Sequence, residues 1–403
     1  MRLLAATLAL SLALSGVSLA KTYRVKAGEG AQAKFVSALE LAKRGDRIRL
    51  GKGRFELNQG LTLGEGVRLE GAGADATVLS FFGQQDGQPG LRLGGENRLG
   101  RFTIENAFNG AVYAEDRTGL AFRSMAVRYT EPSRLVTADG FALVRARDVL
   151  FDTVNVTDAP DAGIYLSQTA NVVVRFTAAD ENGVGLVLAD STGVDVYESS
   201  FSNNGLGLAI VDLAQTKGEA ASIRVFRNQI VRNDQRVRAS SLLGTGVPPA
   251  VGVLALAAHD VHLFENTIAD HGGASVVILS TGAPSVDPSH IPVTHNLVVR
   301  NNVLGRAGYA PQGTLMTLRD RGFVIPDILW DGVESYGEGD GKRTLPVRIL
   351  ITNNLKQNNE PFVFTNLGIG HAGRSLEEAK PSDRLPEQGA SVPEPAPVTL
   401  PNL

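Results

Sequence analysis

Between residues 151 and 210 the sequence repeats itself about every 22 residues, and no other feature restricts the fold so strongly. Gly163-Ile164-Tyr165-Leu166, Gly185-Leu186-Val187-Leu188 and Gly207-Leu208-Ala209-Ile210 form matching segments. Each follows a second apolar run, at 149–151, 172–174 or 194–196. The alternation in these runs has the period of two that marks short strands. A unit this short cannot bury an apolar face by itself, so neighbouring units must stack and share a core.

A template extends the repeat in both directions: an apolar residue, a small or amide residue three later, an apolar residue two after that, then a turn residue. It fits Phe122-Met125-Val127-Thr130, Phe151-Val154-Val156-Ala159, Val174-Thr177-Ala179-Asn182 and Val196-Ser199-Phe201-Asn204. It continues through Val225-Asn228-Ile230-Asn233, Leu263-Asn266-Ile268-His271 and Val299-Asn302-Leu304, with weaker copies at Leu99 and at Ile351 with Asn354. Asn228, Asn266 and Asn302 share one column, as an asparagine ladder in a stacked parallel sheet requires. Leucine-rich repeats have a similar length but need closely spaced leucines and a helix per repeat, and neither is present. The fold class read from this pattern is all-β: a right-handed, single-stranded parallel β-helix with three short strands per coil.

Residues 31–43 read as an amphipathic helix with Phe35, Leu39 and Ala42 on one face and Gly45 beyond its end. An open solenoid end exposes unpaired backbone, so this helix is assigned as an N-terminal cap. The expected organisation is a signal peptide at 1–20, an N-terminal strand and capping helix at 21–66, and the β-helix at 67–305. An irregular closing segment at 306–372 and a disordered Pro-rich tail at 373–403 follow. Insertions at 129–140, 233–250 and 285–292 are candidate binding loops.

The first 20 residues combine Arg2, an apolar run too short to span a bilayer, and Ser18-Leu19-Ala20 as a cleavage site. With no cysteine in the chain there is neither a lipid attachment point at a cysteine nor a disulfide. A secreted or periplasmic, non-lipidated protein is expected, with no membrane span after cleavage. The formal charge of −3, without a basic stripe, argues against nucleic acid.

The helix followed by Gly45-Asp46-Arg47-Ile48, the stretch 66–73, Asp161-Ala162-Gly163-Ile164-Tyr165-Leu166-Ser167-Gln168 and the segment 326–332 with Trp330 together resemble a family. It is that of exported bacterial proteins of the pectin-lyase-like superfamily carrying parallel β-helix repeats. The resemblance covers most of residues 30–366. It implies the architecture and an exported partner protein, and by analogy with polysaccharide-active relatives it implies a polysaccharide ligand.

The superfamily's polygalacturonase pattern (Asp-Asp, Gly-His-Gly, Arg-Ile-Lys) is missing; Gly370-His371-Ala372-Gly373 is the nearest approach. The epimerase Asp-Pro-His-Asp pattern is missing too, and Asp158-Ala159-Pro160-Asp161 lacks its histidine. Asp158, Asp161, Asp180 and Glu181 fall at nearly the same place in successive coils. They could gather on one edge as an acid–base group or a hard-cation site. In that reading Asp158, Asp161 and Arg175 are the candidate catalytic residues, and Asp161, Asp180 and Glu181 would hold calcium, with no cofactor required. The plain alternative is that these are turn residues bonded to their own backbone.

One outward column, counted one residue after each inward position, runs Arg123, Asp152, Arg175, Tyr197, Phe226, Phe264 and Arg300. Aromatic faces beside arginines suit sugar rings that carry carboxylates, and Tyr197, Phe226, Phe264 and Arg300 are the candidate substrate-binding residues. Stacked aromatics on neighbouring strands also need no ligand. The reading is a protein that binds an extended polysaccharide on its lateral face. The alternatives are a lyase or C5-epimerase acting on a uronate polymer, and a structural envelope or protein-interaction scaffold.

Overall fold

Each repeat becomes one coil, because its three apolar runs pair with the same runs of the coils on either side rather than with one another. The computed structural model describes residues 20–131, 138–214, 216–235, 247–282, 290–337, 342–375, 378–385, 391–401 and 403. Three parallel ladders run the length of the molecule. Sheet one includes Ala170–Arg175, Thr192–Tyr197, Ala221–Phe226, His259–Phe264 and His295–Arg300. Sheet two includes Ala178–Asp180, Ser200–Ser202, Gln229–Val231 and Thr267–Ala269. Sheet three includes Ala162–Ser167, Val184–Ala189, Leu206–Val211 and Val251–Leu256. Two longer strands, Thr118–Arg128 and Arg147–Thr157, bend at Ser124 and Thr153 and serve sheets one and two in turn. The inward side chains fill one continuous core, in which Phe122, Phe141 and Phe151 meet with ring centres 4.9–5.2 Å apart.

The corners explain the residue types of the repeat. Between sheets one and two, a residue with φ near +50° to +60° turns the chain: Phe176, Glu198, Arg227, Glu265, Asn301 and Asn353. The next residue points inward and bonds to its equivalent in the following coil. The Asn228 amide N–H donates to Asn266 Oδ1, that of Asn266 to Asn302 Oδ1, and that of Asn302 to Asn354 Oδ1, all at 3.0 Å. These asparagines are fully buried, and each side chain also donates to a carbonyl one strand back, so the ladder satisfies its own polar atoms inside the core. The expected column therefore exists, and it continues to Asn354. A second ladder, Asn182–Asn204–Asn233, lines the corner between sheets two and three and ends on His271, whose Nδ1 accepts from the Asn233 N–H at 3.3 Å.

The recurring glycines belong to this second corner, where space rather than backbone conformation demands them. A Cβ at Gly163 would lie 2.8 Å from the Gly185 carbonyl, at Gly185 2.5 Å from that of Gly207, and at Gly207 2.5 Å from that of Gly252. The amide of the asparagine ladder closes the same space, with Asn204 Nδ2 3.0 Å from the Cβ position of Gly185.

Helix α1 (Ala31–Leu41) caps the first coil as expected, with Phe35 buried against Phe55. The expected coil boundaries need correction at both ends. Thr22–Val25 already pairs in parallel with Arg47–Leu50, and Gly53–Glu56 with Thr77–Ser80, so the solenoid begins well before residue 67. It also runs past residue 305. Ile328–Trp330 and Phe364–Asn366 extend sheet three, and Ile349–Thr352 and Leu355–Lys356 extend sheets one and two. The period is lost in the sequence because helix α2 (Gly313–Asp320) is spliced in ahead of Ile328–Trp330, not because the stacking stops. Trp330 fills the core at this end.

Helix α2 and the segments around Val333 and Leu367–Ile369 lie on the outside of sheet three, over Val187, Ala209, Leu254, Val277 and Leu329. That apolar outer face is thus a second core. The Pro-rich tail also departs from expectation: residues 391–401 and Leu403 are laid along sheet one, with Val392 buried. The signal segment lies outside the described residues except for Ala20, as do the middles of the three expected insertions. Among the described residues no helix is long and apolar enough to cross a membrane.

Replacing Gly185 by Ala forces a backbone carbonyl aside in a filled corner and is expected to destabilise the protein by about 1–3 kcal/mol, as core overpacking does. A lowered midpoint in urea unfolding with an unchanged slope is the readout. His271 supplies a pH effect. Burial pushes its pKa down from 6.5 to about 3, so the folded state holds it neutral where the unfolded chain protonates it. Its contribution to stability is therefore full above pH 6.5 and falls as the pH drops toward 3. Asn at this position continues the ladder without titrating, so His271→Asn is expected to reduce the loss of melting temperature between pH 7 and pH 4.

A candidate ligand-binding face

Alternation along sheet one sends every second side chain outward, and the parallel register lines these up from coil to coil. Arg123, Asp152, Arg175, Tyr197, Phe226, Phe264, Arg300 and Thr352 occupy one row of paired positions. Neighbours along it are separated by the strand spacing of about 4.8 Å. Tyr197 stacks on Phe226 and Phe226 on Phe264, with ring centres 5.0 Å apart in both cases and planes 14° and 5° from parallel. The Arg300 guanidinium lies 4.2 Å from the centre of Phe264. At the other end Asp152 is held between Arg123 at 2.9 Å and Arg175 at 2.8 Å. The expected column is thus present in full.

A second outward row, two residues earlier on each strand, was not read from the sequence: Ala121, Leu150, Val173, Asp195, Arg224, His262 and Val298. The same alternation that revealed the first row predicts it, by counting back from the inward residue instead of forward. Arg224 and Asp195 form a two-pronged pair at 2.8 and 2.6 Å, with side chains only 10% and 5% exposed. Across the two rows Arg123, Arg175, Arg224 and Arg300 face Asp152 and Asp195, an excess of two positive charges.

Residues 391–401 and Leu403 run over these rows. Glu394 bonds Arg224 at 3.2 Å and Arg300 at 2.8 Å, and so supplies one of the missing negative charges. The Val398 N–H donates to Asp195 Oδ2 at 3.0 Å, and Arg123 Nη2 donates to the Leu403 main-chain oxygen at 2.7 Å. Val398, Leu400 and Leu403 pack on Ala121, Leu150, Val173 and Tyr197. Burial lowers the pKa of His262, with the Glu394 charge acting against it.

The acidic candidates do not assemble with Arg175. Arg175 is on sheet one, bonded to Asp152 and 3.5 Å from the Tyr197 hydroxyl, whereas Asp158 and Asp161 flank the corner between sheets two and three. Asp158 and Glu181 are the φ-positive residues of that corner, at +60° and +58°, which is the turn role given as the plain alternative. Asp180 accepts from Ser202 Oγ and Asn203 Nδ2 at 2.7 and 2.8 Å. Asp161, Asp180 and Glu181 do not form a cation cage, and among the described residues no three His, Asp or Glu side chains do. Asp161 instead lies beside Asp139, which the sequence reading passed over. Burial first and the Asp161 charge second push the Asp139 carboxyl up to about 7, while Oδ1 accepts from the Ala162 N–H at 2.9 Å. Asp139 is thereby able to hold a proton near neutrality.

Residues 90–247 match the family described as right handed beta helix region. The crystal structure of an alginate lyase from Paenibacillus sp. str. FPU-7 superposes with a TM-score of 0.50 at 13% identity, over 73% of this chain and 98% of that one. The ORF18 protein of Geobacillus virus E2 does so with a TM-score of 0.51 at 10% identity, over 83% of this chain and 60% of that one. At these identities the likeness is one of fold. A search of curated proteins gave no match.

Burial sets the weight of the two ion pairs on the face. Asp195→Ala leaves Arg224, where little water reaches it, with Glu394 in place of a two-pronged partner and is expected to cost up to about 3–5 kcal/mol. Asp152→Ala removes a more exposed partner and is expected to cost under about 1 kcal/mol. Chemical denaturation of both variants ranks them.

Proposed function

We propose that this right-handed parallel β-helix binds an extended acidic polysaccharide along the outward face of sheet one. The observation that carries this reading is the straight file of three stacked aromatic rings flanked by Arg175 and Arg300. The stacked rings turn their edges outward as an apolar strip on which the C–H faces of sugar rings can rest, and a uronate adds a carboxylate that an arginine pairs in two-pronged fashion. A polymer laid along the solenoid meets equivalent positions at a fixed spacing, which rewards a repeating ligand over a small one. The two unbalanced positive charges favour an acidic polymer over a neutral one. A solved structure of this fold is an alginate lyase, which makes alginate a rational first probe. Export through the signal segment at 1–20 belongs to the same proposal, as does an exported protein partner.

Turnover is the second reading, supported by one observation: the Asp139 carboxyl, pushed up to about 7 by burial and by the Asp161 charge, lies in the range that suits general acid–base work. A lyase or epimerase would use it on a bound uronate, with calcium as a possible aid to substrate binding rather than a resident ion.

Oligomers of alginate and pectate titrated into residues 21–403, with and without calcium, are expected to bind with an affinity that falls steeply with salt. Neutral glucans are expected not to bind. Arg175→Ala combined with Arg300→Ala is expected to lower the affinity about tenfold or more, a loss of roughly 1.4 kcal/mol or greater. Equal binding of neutral glucans, or no loss in the double variant, removes the proposal. New unsaturated ends in proton NMR, abolished by Asp161→Asn, establish turnover instead.

A further inference from the structure

We infer that the stretch seen as residues 391–401 and Leu403 is a displaceable occupant of this face, which an acidic polymer must dislodge in order to bind. The inference rests on the polysaccharide reading above and adds its regulation.

The segment copies the demands of a linear polymer. Pro393, Pro395, Pro397 and Pro401 punctuate it, a pattern that imposes the polyproline II conformation. The nine steps from Glu394 to Leu403 then cover about 28 Å at ~3.1 Å per residue. From the strand of Arg300 to that of Arg123 there are six strand spacings, about 29 Å at ~4.8 Å each. The repeats also match: three residues of polyproline II advance about 9.3 Å, close to two coils. Positions 394, 400 and 403 fall in that register, and their side chains are among those that touch the sheet. Glu394 takes the place of a uronate carboxylate, held by one arginine from each row.

The same prolines keep the attachment weak. A proline has no N–H, so a segment with prolines at 393, 395, 397 and 401 has few main-chain donors to offer a sheet. Among the described residues its main chain makes no hydrogen bond to the main chain of sheet one. It is held through the Glu394 carboxylate, the Val398 N–H, the Leu403 oxygen, the Pro393 main chain at His262 and a few apolar side chains, Val392 among them, whereas every strand beneath it is bonded along its length to two neighbours. Elements with so few backbone bonds open at low free energy while the core stays shut. Polyproline II also loses little entropy on docking, so the segment can return as readily as it leaves.

The experiment has two independent arms. In the full chain, the Val398 amide is expected to exchange with deuterium at least a hundredfold faster than the sheet-one amides of residues 194–197. Equal protection overturns the inference whatever the ligand, because the segment is then a fixed part of the wall. In the second arm, a chain ending at residue 390 and the Glu394→Gln variant are compared with the full chain for binding of a fluorescent alginate oligomer. The shortened chain is expected to bind at least tenfold more tightly, Glu394→Gln to fall between, and a synthetic 391–403 peptide to compete. Equal affinity for full and shortened chains overturns the inference. Fast Val398 exchange with no polymer bound by either form overturns the polysaccharide reading alone.

Discussion

The structure depends on each coil's main chain being bonded to the coils above and below rather than to itself. That arrangement places every residue type in a file of its equivalents about 4.8 Å apart, so a residue is tolerated only if it tolerates its own neighbours at that distance. At the inner corners the constraint is severe. Asparagine satisfies it by donating and accepting along the file, and glycine satisfies it by leaving room for the next carbonyl. The φ-positive corner residues turn the chain outside the core, where side chains as different as Phe176 and Glu265 are accepted because they extend into solvent.

The same constraint shapes the lateral face. Charges of one sign in adjacent coils would repel, and the file answers with Arg123–Asp152–Arg175 at one end and neutral stacked rings in the middle. The sequence does not cancel the charge fully, and the surplus at Arg224 and Arg300 is met by Glu394 from a distant part of the chain. Sheet three took the other course: its outward residues are apolar, and helix α2 and the segments near Val333 and Leu367 cover them. One solenoid thus carries one walled-in face and one face whose cover is a loosely tied strap.

What could be read in advance follows from which interactions are periodic. The asparagine column, the aromatic–arginine file and the capping helix are all local patterns repeated at fixed spacing. The second file, with Asp195, Arg224 and His262, obeys the same arithmetic and was legible in principle. The acidic residues misled because coils are not flat: Asp158 and Asp161 are three residues apart yet flank a corner, so Asp161 meets Asp139 and Asp158 turns the chain. The coil limits misled because inserted α2 breaks the count without breaking the stack.

By itself the sequence determined the β-helix, its register and the chemistry displayed on each side, because period-two alternation within a 22-residue repeat leaves one way to bury the apolar residues. Only the tertiary structure decided which side is open. The Pro-rich stretch has the composition of a disordered tail, and it is ordered solely by a complementary surface formed by strands that lie some 100–280 residues earlier in the chain. No local pattern encodes such a meeting, since it rests on one carboxylate finding two arginines that only the folded solenoid brings together.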